Sequence, residues 1–82
     1  KDIHPKAPVH LLILPKKHIQ SVDYLTEKDK ESAGGLLILA QKIAKEKKLN
    51  GYKLIINVGR EGGQIIPHLH LHLLSGKPTE FP

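Results

Sequence analysis

The segment that decides the fold of this chain reads His68-Leu69-His70-Leu71-His72-Leu73-Leu74, with histidine and leucine in strict alternation. Side chains of a β-strand point alternately to its two faces. A strand over this segment places the three imidazoles on one face and the alternating leucines on the other. We therefore predict a strand whose leucine face is buried against a core and whose outer face is lined by histidines.

Other apolar runs predict the strands that accompany this one. Residues 9–14 form a β-rich run that Pro15 ends, and residues 52–58 form a second run. Residues 59–63 contain three glycines and predict a turn, after which residues 64–74 are expected to be extended. Because a short turn cannot join parallel strands, the last two strands are predicted to be antiparallel.

One helix is predicted between the first two strands. The stretch Thr26-Glu27-Lys28-Asp29 resembles a capping box with Asp29 in the place usually held by Glu or Gln. Asn50-Gly51 is expected to end the helix in a left-handed cap. The apolar positions that predict one buried stripe are Ala33, Leu36, Leu37, Ala40, Ile43 and Ala44. The fold class is therefore α+β, an antiparallel sheet with one main helix packed on a face.

The length of 82 residues predicts a single domain over residues 1–82. A domain of this size buries only roughly 60% of the surface that its unfolded chain exposes. The chain has no cysteine, so a disulfide cannot add stability, and association with a second copy is the expected source. The chain starts at Lys1 and contains no methionine, so we expect that its native start is missing.

The formal charge of +5 favours anionic ligands, although many of the lysines fit an ordinary solvated surface equally well. Only three aromatic residues are present and none lies within a basic run, which argues against stacking on nucleic acid. No apolar run approaches the length of a membrane span, and no signal peptide is recognisable. We expect a cytoplasmic protein with neither nucleic acid nor membrane as a partner.

The three alternating histidines admit several uses. A shared metal ion is disfavoured because His68 and His72 would lie about 13 Å apart along a strand that rises roughly 3.3 Å per residue. No cysteine and no obvious acidic ligand accompanies them. An expression tag is excluded by their internal position, whereas an exposed polar face without chemistry stays open. We favour phosphate chemistry, since neutral imidazole attacks phosphorus readily and the glycine loop at 59–63 can bring amides close to an anion.

Two further histidines precede the helix. His10 lies at the start of the first strand and would stand behind the other histidines if that strand neighbours theirs. A satisfied, half-buried histidine explains its position equally well. For His18, which follows a turn, we predict a structural role.

These motifs together resemble the histidine triad (HIT) superfamily, whose signature is His-φ-His-φ-His-φ-φ with φ apolar. Residues 2–10 and 14–19, together with Asn57 and the Gly62-Gly63-Gln64 approach to the histidines, look like its Hint branch. The resemblance implies homodimers in which two five-stranded sheets join into one larger sheet. It also implies binding of purine nucleoside monophosphates and cleavage of the P–N bond of nucleoside phosphoramidates, without metal or cofactor.

Carried over by position, the resemblance makes His70 the nucleophile that attacks the α-phosphorus and forms a nucleotidyl-histidine. His68 and His72 would orient it and hydrogen-bond the phosphate, with His10 in a supporting shell. The residues implied to bind substrate are Asp2, Ile3, Leu12, Asn57, Gly63, Gln64 and Ile65. Asp2 would accept the ribose hydroxyls, and Ile3 and Leu12 would line the base pocket. The phosphate oxygens would be held by Asn57, Gly63 and the backbone of Ile65.

The chain departs from the Hint pattern at three places. Family members begin with a further strand pair and a short helix, to which nothing here corresponds. Ile65 stands where the pattern often has a serine that assists the leaving group, and Phe81 stands where it often has tryptophan. Two alternatives therefore accompany the phosphoramidase: a dinucleoside polyphosphate hydrolase of Fhit type, and a nucleotide-binding regulatory or scaffold protein with little turnover.

Overall fold

The computed structural model describes residues 9–76, which form an antiparallel sheet of three strands covered on one face by one main helix. The strands are β1 (Val9–Ile13), β2 (Lys53–Ile55) and β3 (Leu71–Ser75), and the helix α1 spans Lys30–Glu46. β3 lies between β1 and β2 and is antiparallel to both. The predicted α+β class and the antiparallel pairing of the last two strands are confirmed.

The register of β1 and β3 separates the two faces of the sheet. Leu73 lies opposite Leu11, and both belong to the face that carries the core. His72 lies opposite Leu12, on the other face, which also carries His10. The alternation in the sequence thus produces one buried face and one face with histidines, as predicted for β3.

The core lies between the sheet and α1. Leu71 and Leu73 are the large side chains that are fully buried. From the helix, Leu36, Ala40 and Ala44 are buried against them, at intervals of four residues along one helix face.

The start of α1 confirms the predicted capping box. The backbone N–H of Thr26 donates to the Asp29 carboxylate at 2.9 Å, while the Thr26 hydroxyl accepts from the backbone of Lys28. Asp29 also accepts from Lys17 Nζ at 2.7 Å, so the helix start is tied to the segment after β1. The Lys17 hydrogen bond, followed by that from the Thr26 backbone, holds the pKa of Asp29 below its ordinary value.

Two predictions about the helix were wrong. Leu37 is 53% exposed, because it lies a hundred degrees or so around the helix from Leu36 and outside a stripe narrower than predicted. The helix ends at Glu46 rather than at Asn50-Gly51, with Lys48 in the left-handed region at φ 57°. The backbone N–H of Leu49 then donates to the Ala44 carbonyl, and the Leu49 side chain packs against the core.

The strands are also shorter than predicted. The expected strand at 52–58 is confined to Lys53–Ile55, and the expected extended run at 64–74 forms a strand only from Leu71. Pro67 interrupts the run, since the backbone N–H of His68 donates across it to the Ile66 carbonyl at 2.8 Å in a tight three-residue turn. Within residues 9–76, no helix is long and apolar enough to span a lipid bilayer.

Candidate active site

A first pair of histidines, which we call the strand-held pair, consists of His10 on β1 and His72 on β3. Nε2 of His10 lies 3.1 Å from Nδ1 of His72, and the ring centroids are 5.3 Å apart. In a hydrogen bond between these two nitrogens, one must carry a proton and donate it, and the other must accept. The expectation that His10 would stand beside the other histidines is confirmed by this contact.

The surroundings of His72 favour its neutral form. Burial lowers the pKa of His72 below its ordinary value of 6.5, and the neighbouring His70 and His10 lower it further through charge repulsion. A neutral His72 keeps one ring nitrogen as an acceptor and the other as a donor. It can therefore hydrogen-bond a ligand without adding a positive charge to a crowded group of imidazoles.

His70 is the most buried of the histidines in the described part of the chain, with 9% exposure. Its Nδ1 lies 2.8 Å from the backbone carbonyl of His68, and its ring centroid lies 5.0 Å from that of His72. A carbonyl oxygen only accepts hydrogen bonds, so Nδ1 of His70 carries the proton. Nε2 of neutral His70 is left with a free lone pair, which is the form of imidazole that acts as a nucleophile.

A second pair, the loop-held pair, consists of His18 and His68. Their Nδ1 atoms are 3.3 Å apart and the rings meet edge to face with centroids 4.9 Å apart. Nε2 of His68 is buried and has no hydrogen-bond partner among the residues that the structure describes. His68 thus contacts His70 through its backbone carbonyl, whereas its ring faces His18.

The prediction that all three histidines lie on one strand was therefore wrong, although the rings of His70 and His72 still lie side by side with centroids 5.0 Å apart. The turn at Pro67 places His68 and His70 before the start of β3, so that strand alternation governs only His72. The contact of His18 with His68 was not expected either. Neither the spacing nor the composition of the sequence signals it, because it depends on how two irregular segments pack.

The glycine turn at 59–63 is present, and Gln64 holds its shape. The buried Gln64 side chain accepts from the Gly59 backbone at 3.0 Å and donates to the carbonyls of Gln20 and Ile66 at 2.7 and 2.9 Å. Both N–H groups of this amide are used within the protein. The side chain of Gln64 therefore shapes the loop in this structure.

Asn57 and the glycines pack tightly in the same turn. Asn57 Nδ2 donates to the Gly62 carbonyl at 2.8 Å. A Cβ at Gly62 would lie 2.2 Å from the Val58 carbonyl oxygen, and Gly63 has a φ of +90°. These positions require glycine, and the absence of side chains leaves the backbone of the turn accessible to a ligand.

The remaining predicted substrate residues differ in where they lie. Leu12 is half exposed directly opposite His72, which fits a wall beside the histidines. Ile65 is 91% exposed beside the glycine turn. Asp2, Ile3 and Phe81 lie outside the described residues. Among residues 9–76, no group of three or more His, Cys, Asp or Glu side chains could hold a metal ion.

The sequence matches the HIT domain family over residues 1–79. An uncharacterized HIT-like protein of Buchnera aphidicola subsp. Baizongia pistaciae is 49% identical over 78 residues, which are 93% of this chain and 70% of that protein. The crystal structure of a HIT family hydrolase from Legionella pneumophila Philadelphia 1 is 45% identical, with a TM-score of 0.88, over 100% of this chain and 75% of that one. A hypothetical histidine triad nucleotide-binding protein from Sulfolobus tokodaii is 32% identical, with a TM-score of 0.71, over 99% of this chain and 55% of that one.

Proposed function

The chain belongs to the HIT family, and on that premise we propose that it hydrolyses the P–N bond of purine nucleoside phosphoramidates through a nucleotidyl-histidine. The observation that carries the proposal is the 2.8 Å hydrogen bond from His70 Nδ1 to the His68 carbonyl. It fixes the proton on Nδ1 and keeps Nε2 of a buried imidazole free for attack. The similarity to a HIT family hydrolase supports hydrolysis as the reaction class.

In the first step, Nε2 of His70 attacks the α-phosphorus and a P–N bond to the imidazole forms. The bond to the substrate nitrogen breaks, and that nitrogen keeps the electron pair and takes a proton from water. The nucleotidylated ring of His70 is now cationic, and the His68 carbonyl stabilises this charge by accepting a hydrogen bond from Nδ1–H. In the second step, water attacks phosphorus, the P–Nε2 bond breaks, and the nucleotide is released with one proton passing to solvent.

The neighbouring groups supply the contacts that such a substrate needs. His72, which is neutral, and the backbone of the turn at Gly63 and Ile65 would hydrogen-bond the phosphate oxygens, together with Asn57. Leu12 would line one wall of the base pocket, with Ile3 and Asp2 contributing to the base and ribose sites. The formal charge of +5 and the similarity to a nucleotide-binding relative favour an anionic nucleotide as the ligand.

The decisive experiment replaces the nucleophile. His70→Ala should lower hydrolysis of an AMP phosphoramidate by at least ~1000-fold, because no other imidazole replaces the attacking nitrogen. Mass spectrometry of the parent protein, quenched during turnover, should detect one added nucleotidyl group that is absent from the variant. Calorimetric AMP binding by both proteins is the control for folding. Turnover by His70→Ala at the parent rate would rule out this mechanism.

A nucleotide-binding protein with little turnover is the second candidate. Ile65 favours it, since an aliphatic side chain at the rim of the turn cannot donate a proton to a leaving group. Tight AMP binding with no detectable hydrolysis of either an AMP phosphoramidate or a diadenosine polyphosphate would select this candidate. Faster hydrolysis of the diadenosine compound would instead select the Fhit-type activity.

We also propose that the protein acts as a homodimer. Leu37 and Ile38 of α1 are each 53% exposed, and Gly34 beside them has open space around its α-carbon. β2 is an edge strand, and Leu54 and other apolar residues along it are exposed. A second copy that covered the exposed helix residues would bury apolar surface, and one that paired with β2 would extend the sheet. Sedimentation velocity measures the association directly.

A further inference from the structure

We infer that His18 is a positioning residue that holds His68 so that its carbonyl fixes the tautomer of His70. The inference rests on the proposed function for its catalytic meaning, because it assigns the nucleophile's orientation to a residue outside the alternating histidines. The positioning of His68 by His18 is inferred from the geometry of the contacts alone. The Nδ1 atoms of His18 and His68 are 3.3 Å apart, and the His68 carbonyl is 2.8 Å from His70 Nδ1.

The segment that carries His18 is firmly attached to the loop before β3. The Ile19 carbonyl accepts from the Leu69 backbone at 2.6 Å, and the Ile19 side chain is buried in the core. The Gln20 carbonyl accepts from the Gln64 side chain at 2.7 Å. His18 therefore starts a stretch whose next two residues are fixed against the loop, and its ring can serve as a stable partner for His68.

The chemistry of the loop-held pair indicates which ring donates. If His18 donated to His68, the buried Nε2 of His68 would carry a proton with no acceptor among the described residues. If His68 donates from Nδ1, its buried Nε2 is only an unused acceptor, which is the less costly of the two defects. His18 accepts through Nδ1, and its other nitrogen can face solvent because the residue is exposed.

The carbonyl of His68 needs such an anchor. His68 precedes β3, so its carbonyl lies outside the strand ladder, and the peptide that carries this carbonyl is held to the His18 segment by the Leu69 N–H, which donates to the Ile19 carbonyl. Its own backbone N–H is used in the tight turn across Pro67. If the ring of His68 loses its partner, the Leu69–Ile19 hydrogen bond alone holds this peptide to the His18 segment, and the carbonyl of His68 can tilt away from Nδ1 of His70. The other tautomer of His70, with its proton on Nε2, then becomes accessible and cannot attack phosphorus.

The test measures tautomers directly by ¹⁵N NMR of the imidazoles in the complete protein, in the parent and in two variants. The parent should have the proton on Nδ1 in both His68 and His70. His18→Leu removes the acceptor and should give a mixture of His70 tautomers. His18→Asn keeps an acceptor oxygen near the position of Nδ1 and should restore the parental spectrum. Lys16→Leu, an exposed change in the same segment, is the matched control and should leave the spectrum unchanged.

Kinetics give the second measurement. His18→Leu should lower kcat for an AMP phosphoramidate by about 10-fold to 100-fold with little change in KM, since a misplaced nucleophile slows chemistry more than binding. His18→Asn should recover most of that loss. A general loss of folding would instead lower the amount of active protein and leave the His70 tautomer of the folded fraction unchanged.

Three outcomes would overturn the inference. They are an unchanged His70 tautomer in His18→Leu, a parental His68 with its proton on Nε2, and an Asn variant that behaves like the Leu variant. The tautomer of His68 is measured in the parent protein, so the inference can be tested even if His18→Leu folds poorly. If the tautomers respond as expected but the parent hydrolyses no phosphoramidate, the positioning role stands and the proposed function fails.

Discussion

The strand-held pair and the loop-held pair join four histidines in similar contacts by different means. His10 and His72 meet because β1 and β3 pair in a fixed register, and neighbouring leucines bury the other face of the same strands. His18 and His68 meet because a few individual hydrogen bonds hold two irregular segments together. The first contact depends on the register of the sheet, and the second can be altered locally. His70, the proposed nucleophile, contacts both pairs.

The largest expected effect on stability is at the core residue on the opposite face of the sheet from the strand-held pair. Leu73 has 0% exposure and lies between Leu11 and Leu54 on the core face. Leu73→Ala should lower the free energy of unfolding by about 2–5 kcal/mol, because it removes buried methyl groups and leaves a cavity. Urea denaturation measures the change. Leu14→Ala, at a position 48% exposed, is the matched control and should cost less than ~1 kcal/mol.

An intermediate effect is expected at the loop that supports the loop-held pair. Gln64→Leu removes three hydrogen bonds and leaves the Gly59 N–H and the Gln20 carbonyl without these partners, whereas the Ile66 carbonyl still accepts from the His68 N–H. The free energy of unfolding should fall by about 1–3 kcal/mol. Amide exchange should accelerate at residues 59–69 while the β1–β3 ladder stays protected. Equal acceleration in both regions would contradict the distinction between the two pairs.

The smallest effect concerns the pH dependence of the strand-held pair. The pKa of His72 is lowered in the folded protein, so the unfolded state binds more protons near and below the ordinary value of 6.5. The contribution of His72 to stability is complete above that pH and is lost as the pH falls through the lower folded pKa. Unfolding measured from roughly pH 5 to 8 should show a smaller loss on acidification in His72→Asn than in the parent. Identical pH profiles of the parent and the variant would contradict the conclusion that burial and charge repulsion lower the pKa of His72.

The parts of the fold that follow from repeating patterns could be predicted from the sequence. The alternation of leucines gave the buried face of β3, and the residues at 26–29 gave the capping box. Placing His10 beside the other histidines required only that its strand neighbour theirs, and the register does this. Each of these features depends on periodicity or on a short local motif.

The parts that could not be predicted depend on single contacts between distant segments. Pro67 interrupts a run whose composition otherwise fits a strand, and the turn there redirects the ring of His68. Lys48 takes a conformation in which glycine would be expected, because the early helix end lets Leu49 reach the core. The substrate roles of Asn57, Gly63 and Ile65 stay predictions, with the turn that would bring them together now described.

The two pairs also set when the site can form during folding. The partners are 62 residues apart in the strand-held pair and 50 residues apart in the loop-held pair. Contacts between such distant residues form only after long chain loops have closed. The entropy lost in closing these loops is not offset until the contacts form, and this slows folding. A growing chain cannot form either pair until the segment that contains His68 and His72 has been synthesised and has returned to the segments of His10 and His18. The proposed chemistry would therefore require the completed fold.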